Sequence, residues 1–204
     1  MKIQHIIIAL LLILFTCCCK TSEKKEFYEN GVLKAQYHVD KNGLKEGKAQ
    51  MYYTNGLLKF EGGFKSDLID GKAIIYDENG NIKEVAIYRK GKLNGVFEKY
   101  YLDEKLKAKI NYSNDKIDGI AYSYYESGIL NIEEQYLNGV LDGLSKHYYE
   151  DGKMYAEILY KNGLKNGNKT TRLVDGVVRA EHVLGDVHVI TEEAGKVVAT
   201  VITK

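Results

Sequence analysis

Residues 136–143 read YLNGVLDG, and close variants recur as YRKGKLNG from residue 88, YSNDKIDG from 112 and YKNGLKNG from 160. Each copy begins 24 residues after the preceding one. A single globular core imposes no such period, whereas a stack of equivalent structural units does. The sequence therefore predicts a tandem array of repeats.

The other half of each unit carries an aromatic pair, a turn dipeptide and an aliphatic residue. Asn-Gly, Ser-Gly or Asp-Gly between alternating residues predicts a β-hairpin, because a type I′ turn needs positive φ at both central residues. The chain has 17 Tyr, 20 Gly and no Pro in 204 residues, which favours strands and tight turns. The copies are FYENGVL from 27, YYTNGLL from 52, YDENGNI from 76, YYLDEKL from 100, YYESGIL from 124, YYEDGKM from 148 and a degenerate RLVDGVV from 172.

These patterns predict an all-β protein built of tandem 24-residue hairpins, with six repeats over residues 27–171. Residues 172–204 would form a degenerate repeat and a C-terminal β cap. After Gly176 the period fails, and VVRAEHV, DVHVITEE and KVVATVIT have the composition of short strands. We interpret them as protecting the open edge that such an array must have.

A two-residue turn would pair the second aromatic of each unit with the aliphatic residue after it, as in Tyr28 with Leu33 and Tyr53 with Leu58. Such cross-strand pairs stabilise a sheet and set its register. Alternation along the strands places a further set of aromatic residues on this same face, which we predict to be buried: Phe64, Tyr88, Tyr112, Tyr136 and Tyr160.

The opposite face would pair the first aromatic with a lysine, whose stem can lie over a ring while its charge stays hydrated. We interpret this column of aromatic and basic residues as a binding surface; the solvated face of a stable sheet would give the same pattern. The candidate binding residues are Phe27, Tyr52, Tyr76, Tyr100, Tyr124, Tyr148, Lys34, Lys59, Lys83 and Lys107.

Two positions depart from the repeat. Asp103-Glu104 stands where the other units have Asn-Gly or a relative, and a glutamate in the left-handed conformation costs roughly 1 kcal/mol, so we expect a looser turn. Asp77 replaces the second aromatic and marks either a weak point or a local specialisation.

The glycines that end the NGxxDG motif are assigned to the tight return between units, with Asp70, Asp118 and Asp142 as turn caps. Left-handed backbone in tight turns is reason enough for glycine at these positions. The six glycines are Gly47, Gly71, Gly95, Gly119, Gly143 and Gly167.

The N-terminus carries an export signal. Lys2 precedes an apolar run that is too short to span a bilayer, so residues 1–16 are predicted to be a signal peptide. Leu14-Phe15-Thr16-Cys17 resembles the bacterial lipobox, which implies that Cys17 is lipidated after cleavage. Thr16 departs from the small residue usual there, Cys18 or Cys19 could serve instead, and a plain signal peptide or a metal or redox site are the alternatives. Residues 17–26 would be the lipidated cysteine and a tether.

Nothing in the sequence points to catalysis. There is no phosphate-binding glycine loop, the histidines lack metal-ligand spacing, and no nucleophile has a base beside it in the sequence. We therefore expect no enzyme activity, no cofactor and no metal. With 29 basic and 28 acidic residues the chain also has no charge excess for nucleic acid.

With the repeat in view, the unit YYxNGxLxxxxxYxNGxxDG resembles the bacterial variant of the MORN repeat, over residues 27–171. Proteins of this kind are commonly labelled YwqK-type antitoxins of toxin–antitoxin systems. The resemblance implies an elongated, twisted, single-layer antiparallel sheet of successive hairpins.

These observations lead to an expected function. The chain would be an exported lipoprotein of the cell envelope, anchored to a membrane by lipid and binding a protein or glycan through its repeats without catalysis. The alternatives are an antitoxin or immunity protein that binds a toxin, implied by the family resemblance, and a surface adhesin for host molecules. A periplasmic and a surface-exposed location both stay open.

Overall fold

The computed structural model describes residues 21–166 and the backbone of four further strands up to residue 201. Every regular element in this part of the chain is a β-strand, as predicted. The strands are β1 Ser22–Phe27, β2 Leu33–Val39, β3 Lys45–Tyr52, β4 Leu58–Lys65, β5 Leu68–Tyr76, β6 Ile82–Arg89, β7 Lys92–Tyr100, β8 Leu106–Ser113, β9 Lys116–Tyr124, β10 Leu130–Leu137, β11 Val140–Tyr148, β12 Met154–Lys161, β13 Leu164–Lys165, β14 Asn168–Arg172, β15 Val178–His182, β16 His188–Glu193 and β17 Lys196–Val201.

Strands that are consecutive in the chain pair antiparallel in one sheet, except that β14 pairs with β12 rather than with β13. The substantial contacts between strands all join sheet neighbours, or β12 with β14 across the short β13, so no second layer covers the described sheet. β15, β16 and β17 lie where short strands were predicted and continue the same sheet. Residues 22–26, predicted to belong to the tether, lie in a strand instead, because Ser22–Phe27 forms β1 and pairs with β2; residues 17–20 lie outside the described residues.

The loops after the aromatic pairs differ from the prediction of two-residue turns. In the first hairpin the Tyr28 N–H donates to the Val32 carbonyl and the Gly31 N–H donates to the Tyr28 carbonyl, which encloses a three-residue loop. Only the loop glycine has positive φ, so one left-handed residue closes the loop. The first aromatic, not the second, therefore opposes the aliphatic residue. The observed pairs are Phe27–Leu33, Tyr52–Leu58, Tyr76–Ile82, Tyr100–Leu106, Tyr124–Leu130 and Tyr148–Met154.

The predicted looser turn at Asp103-Glu104 is also wrong. The Tyr101 N–H donates to the Lys105 carbonyl at 2.8 Å and the Glu104 N–H to the Tyr101 carbonyl at 3.1 Å, the same bonds as in the glycine loops. Glu104 takes the left-handed conformation itself, with φ 63°. The two strands it joins hold it there.

Two-residue turns of type I′ occur at the opposite edge of the sheet. Both central residues have positive φ in each of these turns, which are Ser66-Asp67, Lys90-Gly91, Asn114-Asp115, Asn138-Gly139 and Asn162-Gly163. The first such connection is one residue longer, because Asp40 and Leu44 enclose a three-residue loop. That residue accounts for the single spacing of 25 between repeats.

The glycines assigned to return turns lie instead inside strands, at bulges. Gly47, Gly71, Gly95, Gly119 and Gly143 have φ between +82° and +133°. Each of these glycines lies opposite one of the aromatic residues that were predicted to be buried. The pairs are Gly47–Phe64, Gly71–Tyr88, Gly95–Tyr112, Gly119–Tyr136 and Gly143–Tyr160. Glycine is needed there because the bulge adopts a left-handed backbone. Gly167 lies outside the described residues.

The two faces of the sheet differ in chemistry. On the small-residue face, directly paired residues include Ala49, Gly62, Ala73 and Ala86, and the three alanines are 2–6% exposed. The aromatics predicted to be buried lie on this face but are half-buried, because they flank small central residues rather than fill a core. The charged face carries ion pairs between facing strands, such as Lys109–Glu98 at 3.2 Å and Lys146–Glu133 at 3.1 Å.

Candidate functional site

In four of the repeats the second aromatic links its repeat to the next one. Four tyrosine hydroxyls donate to the backbone carbonyl of the first aromatic 23 or 24 residues further along. We call these four residues the tyrosine ladder. Its bonds are Tyr28 to Tyr52 at 2.7 Å, Tyr53 to Tyr76 at 2.8 Å, Tyr101 to Tyr124 at 2.7 Å and Tyr125 to Tyr148 at 2.7 Å.

Three of the four lysines of the predicted binding column lie over ladder tyrosines rather than over the first aromatic. The ammonium nitrogen of Lys34 is 5.9 Å from the ring centre of Tyr28, and Lys59 is 5.3 Å from that of Tyr53. Lys107 lies 5.0 Å from the ring centre of Tyr101. The predicted pairing is wrong because the three-residue loop and the bulge beside it change which residues face each other.

The first aromatics form a different set. By alternation they lie on the charged face, where the hydroxyl of Tyr76 donates to Glu61 at 3.3 Å and that of Tyr100 to Glu98 at 3.0 Å. Desolvation, followed by the hydrogen bond to Glu98, raises the pKa of Tyr100. Phe27, at the first hairpin, is 59% exposed. Two of the first aromatics therefore bond to carboxylates of the charged face, whereas Lys34, Lys59 and Lys107 lie over the second aromatics.

The ladder is interrupted in the third repeat, where Asp77 stands in place of the second aromatic. The Asp77 carboxylate accepts hydrogen bonds from the N–H groups of Asn79 and Asn81, both at 2.9 Å, within its own loop. Desolvation alone would raise the pKa of Asp77, but the bonds from Asn81 and Asn79 outweigh it and lower this pKa. Asp77 thus turns toward its own loop and makes no ladder bond to Tyr100 among the described residues.

A groove of about 710 Å³ opens at this interruption. Its walls include the ladder residues on either side, Tyr53 and Tyr101, and the loop residue Leu102, which is 81% exposed. Volumes of a few hundred Å³ are typical of sites that bind small molecules or side chains. The remaining lining residues are Asp77, Glu78, Ile82, Lys83, Lys99, Tyr100, Asp103, Lys107 and Glu126.

The groove has charges of both signs. Lys99 pairs with Glu84 at 3.4 Å, and Asp103 pairs with Lys105 at 2.8 Å. Lys83 is exposed and has no ion pair, hydrogen bond or ring partner within the described chain, because the aromatic that its counterparts cover is missing. The groove therefore offers one unengaged cation beside aromatic walls.

Of the ten predicted binding residues, the structure brings Tyr100, Lys83 and Lys107 together in this groove. Phe27 and Lys34 line a separate pocket at the first hairpin, and the other five lie outside both pockets along the array. Sequence reasoning marked Asp77 as a departure from the repeat but did not connect it with a groove. The sequence did contain a signal for the groove, because Asp77, which replaces the aromatic, and Lys83, which would cover that aromatic, belong to the same repeat.

A polar cluster in the fifth and sixth repeats was not predicted. The Ser145 hydroxyl lies 2.9 Å from His147 Nε2 and 3.4 Å from the Glu134 carboxylate. In a nucleophilic triad the carboxylate orients the histidine, whereas here Glu134 contacts the serine and accepts from Tyr136 at 2.8 Å. Ser145 is also only 1% exposed, so a substrate carbonyl has no access to it. The cluster is a packed polar network.

Two further features are absent from the described residues, a metal site and a membrane-spanning helix. No group of three or more His, Cys, Asp or Glu side chains is arranged to hold a metal ion in that part of the chain. No helix in it is long and apolar enough to cross a membrane.

A single-layer sheet of tandem hairpins, linked by periodic side-chain and backbone bonds, defines a repeat-array protein. The family model for the MORN repeat variant matches residues 20–41, 45–66, 69–90, 93–114, 117–138 and 141–162. These segments cover more than half of the chain, which therefore belongs to the MORN repeat variant family. Each segment coincides with one hairpin closed by a three-residue loop. No curated protein matches the chain significantly.

Proposed function

We propose that this protein is a non-enzymatic scaffold that binds another protein through its repeat array. The observation that carries the proposal is the groove at the interrupted ladder. Everywhere else along the ladder the chain fills the equivalent position with its own tyrosine, whereas here aromatic walls and an unengaged lysine face solvent. Aromatic side chains around a concave surface are typical of protein-recognition sites.

The proposal includes a location. We propose that residues 1–16 are removed as a signal peptide and that Cys17 carries the lipid anchor, with Cys18 or Cys19 as alternatives. The support is the Leu14-Phe15-Thr16-Cys17 segment after an apolar run. A lipid anchor would hold the array at the cell envelope, either in the periplasm or on the surface.

Two variants of the scaffold function differ in the partner. An antitoxin or immunity role is supported by the label that bacterial MORN-variant proteins commonly carry, and its partner would be a toxin. A surface adhesin would bind a host protein or a glycan. Both use the same array, so the side of the membrane on which it is displayed separates them.

Site-specific photo-crosslinking in intact cells tests the scaffold function. A photoreactive phenylalanine at Leu102, in the groove wall, is compared with the same residue at Leu164, which is 73% exposed and lies at the last tight turn. We expect one discrete protein adduct from position 102 and none from position 164. Absence of any protein adduct from position 102 would contradict the proposal.

Cell fractionation with protease shaving tests the location. We expect the wild-type protein in membranes and the Cys17→Ala variant in soluble fractions. Digestion of the array on intact cells would favour the adhesin, and protection would favour a periplasmic partner. A wild-type protein in the soluble fraction would rule out the lipid anchor.

A further inference from the structure

We propose that the groove at the interrupted ladder receives a tyrosine side chain from the partner, which takes the position that the chain's own second aromatic takes in other repeats. The inference rests on the proposed scaffold function for the existence of a protein partner. What it adds is the group that the groove recognises, namely the phenol ring and free hydroxyl of a tyrosine on the partner.

The first argument comes from the hydrogen bond that is missing. In four repeats a tyrosine hydroxyl donates to the carbonyl of the first aromatic in the next repeat, at 2.7–2.8 Å. The equivalent acceptor for the third repeat is the carbonyl of Tyr100, which receives no tyrosine hydroxyl from the described chain. A guest phenol at this place would find an acceptor with the geometry that the ladder repeats elsewhere.

The second argument comes from the lysine of the same repeat. Lys34, Lys59 and Lys107 each lie within 5.0–5.9 Å of the ring centre of a ladder tyrosine. Lys83 occupies the equivalent position and lines the groove, but covers no ring among the residues that the structure describes. A cation beside an aromatic face is stabilising, so Lys83 favours an aromatic guest over an aliphatic one.

The third argument is that Asp77 leaves the position empty. Its carboxylate is held in the loop by the N–H groups of Asn79 and Asn81 and by the Asn81 side-chain amide at 3.3 Å. The Asp77 side chain therefore stays within its own loop and does not extend to the place that a tyrosine ring occupies in other repeats. The space that a ring fills in the neighbouring repeats becomes part of the 710 Å³ groove.

Ligand-observed ¹⁹F NMR on the full chain in detergent tests the proposal with N-acetyl-3-fluorotyrosinamide as the probe. We expect saturable binding to the wild type. The Asp77→Tyr variant should abolish it, because the chain's own ring then fills the position. The matching fluorinated phenylalanine amide, which lacks the hydroxyl, should bind about tenfold more weakly, the ratio that corresponds to one lost hydrogen bond.

A lysine pair provides a test that does not depend on the folding of Asp77→Tyr. Lys83→Gln should weaken probe binding several-fold, whereas Lys65→Gln, at an exposed lysine outside the groove, should leave it unchanged. Absence of saturable binding, or binding that survives both Asp77→Tyr and Lys83→Gln, would overturn the inference. A Leu102 crosslink to a partner without probe binding would leave the scaffold standing and remove only the tyrosine guest.

Discussion

The two edges of the sheet are linked from repeat to repeat in different ways. We call the side of the sheet where three-residue loops join the strand ends the loop edge. Here the links are tyrosine hydroxyls that donate to a backbone carbonyl of the next repeat. We call the opposite side, where two-residue turns join the strand ends, the turn edge. Here the links are hydrogen bonds between backbone groups. The N–H of Gly91 donates to Ile69, that of Asp115 to Leu93 and that of Gly139 to Ile117, at 2.7–2.9 Å.

This difference explains where the array can vary. A backbone link persists whichever side chains the turn carries, and Asn114-Asp115 makes the same bond as Lys90-Gly91. A side-chain link is lost when one residue changes, as at Asp77. The loop edge can therefore open a groove in one repeat while the turn edge keeps the sheet continuous.

Carboxylates reinforce the turn edge. The predicted turn caps are confirmed, and each caps the turn of the following repeat rather than its own. Asp70 accepts from the Lys90 N–H at 2.8 Å, Asp118 from the Asn138 N–H at 3.2 Å and Asp142 from the Asn162 N–H at 3.1 Å. The bond from Asn162, followed by that from Lys161, lowers the pKa of Asp142. Side chains at this edge add to a backbone link that already exists.

The largest expected effect is the removal of a ladder residue. Tyr101→Ala loses a half-buried ring, the bond to Tyr124 and the contact with Lys107, and should lower the free energy of unfolding by about 2–3 kcal/mol. Urea denaturation followed by circular dichroism measures it. Tyr101→Phe, the matched control, should cost about 1 kcal/mol because only the hydroxyl bond is lost. Equal stability of Tyr101→Ala and wild type would show that the ladder does not link the repeats.

Alkaline pH should act on Tyr136, which lies beside the Asn138-Gly139 turn. Desolvation, then the hydrogen bond to Glu134, raises the pKa of Tyr136 from 10.0 to about 12. The folded protein thus retains a proton that the unfolded chain releases above pH 10. Stability should be constant below that pH with respect to Tyr136 and fall as the pH rises from 10 to about 12. Thermal melts across this range test it, with Tyr136→Phe as the control that removes this contribution; a flat profile for the wild type would contradict the prediction.

A smaller effect is expected at the turn edge. Asp118→Ala removes one cap. Because the backbone hydrogen bond from the Gly139 N–H to the Ile117 carbonyl remains, the free energy of unfolding should fall by only about 1 kcal/mol. Asp118→Asn keeps an acceptor oxygen and should retain most of the stability. Should Asp118→Ala prove as damaging as Tyr101→Ala, the distinction between the two edges would be wrong.

The smallest effect is expected at the loop that lacks glycine. Glu104→Gly removes the strain of a left-handed glutamate but increases the entropy of the unfolded chain. The free energy of unfolding should therefore rise by only about 0.5 kcal/mol. The reverse change at the equivalent loop position, Gly128→Glu, should destabilise by a similar amount. Both values come from the same denaturation experiment, and a loss of stability in Glu104→Gly would contradict the reasoning.

The sequence by itself determined the repeat, its length and its strand content. The 24-residue period and the turn dipeptides are features of the sequence alone, and together they predicted the hairpins and their order; the cap aspartates were identified from their place in the repeat. The faces of several aromatics also followed from alternation alone. The departures at Asp77 and Glu104 were visible as exceptions to the pattern.

Only the tertiary structure decided the register and the site. One left-handed glycine and a bulge convert the predicted two-residue turn into a three-residue loop, which places Tyr52 opposite Leu58 and bonds the Tyr53 N–H to the Leu57 carbonyl. The tyrosine ladder depends on contacts between residues 23 or 24 positions apart, and the groove depends on the failure of one such contact at Asp77. Local propensity cannot specify these contacts, because they form only when consecutive hairpins stack in one sheet.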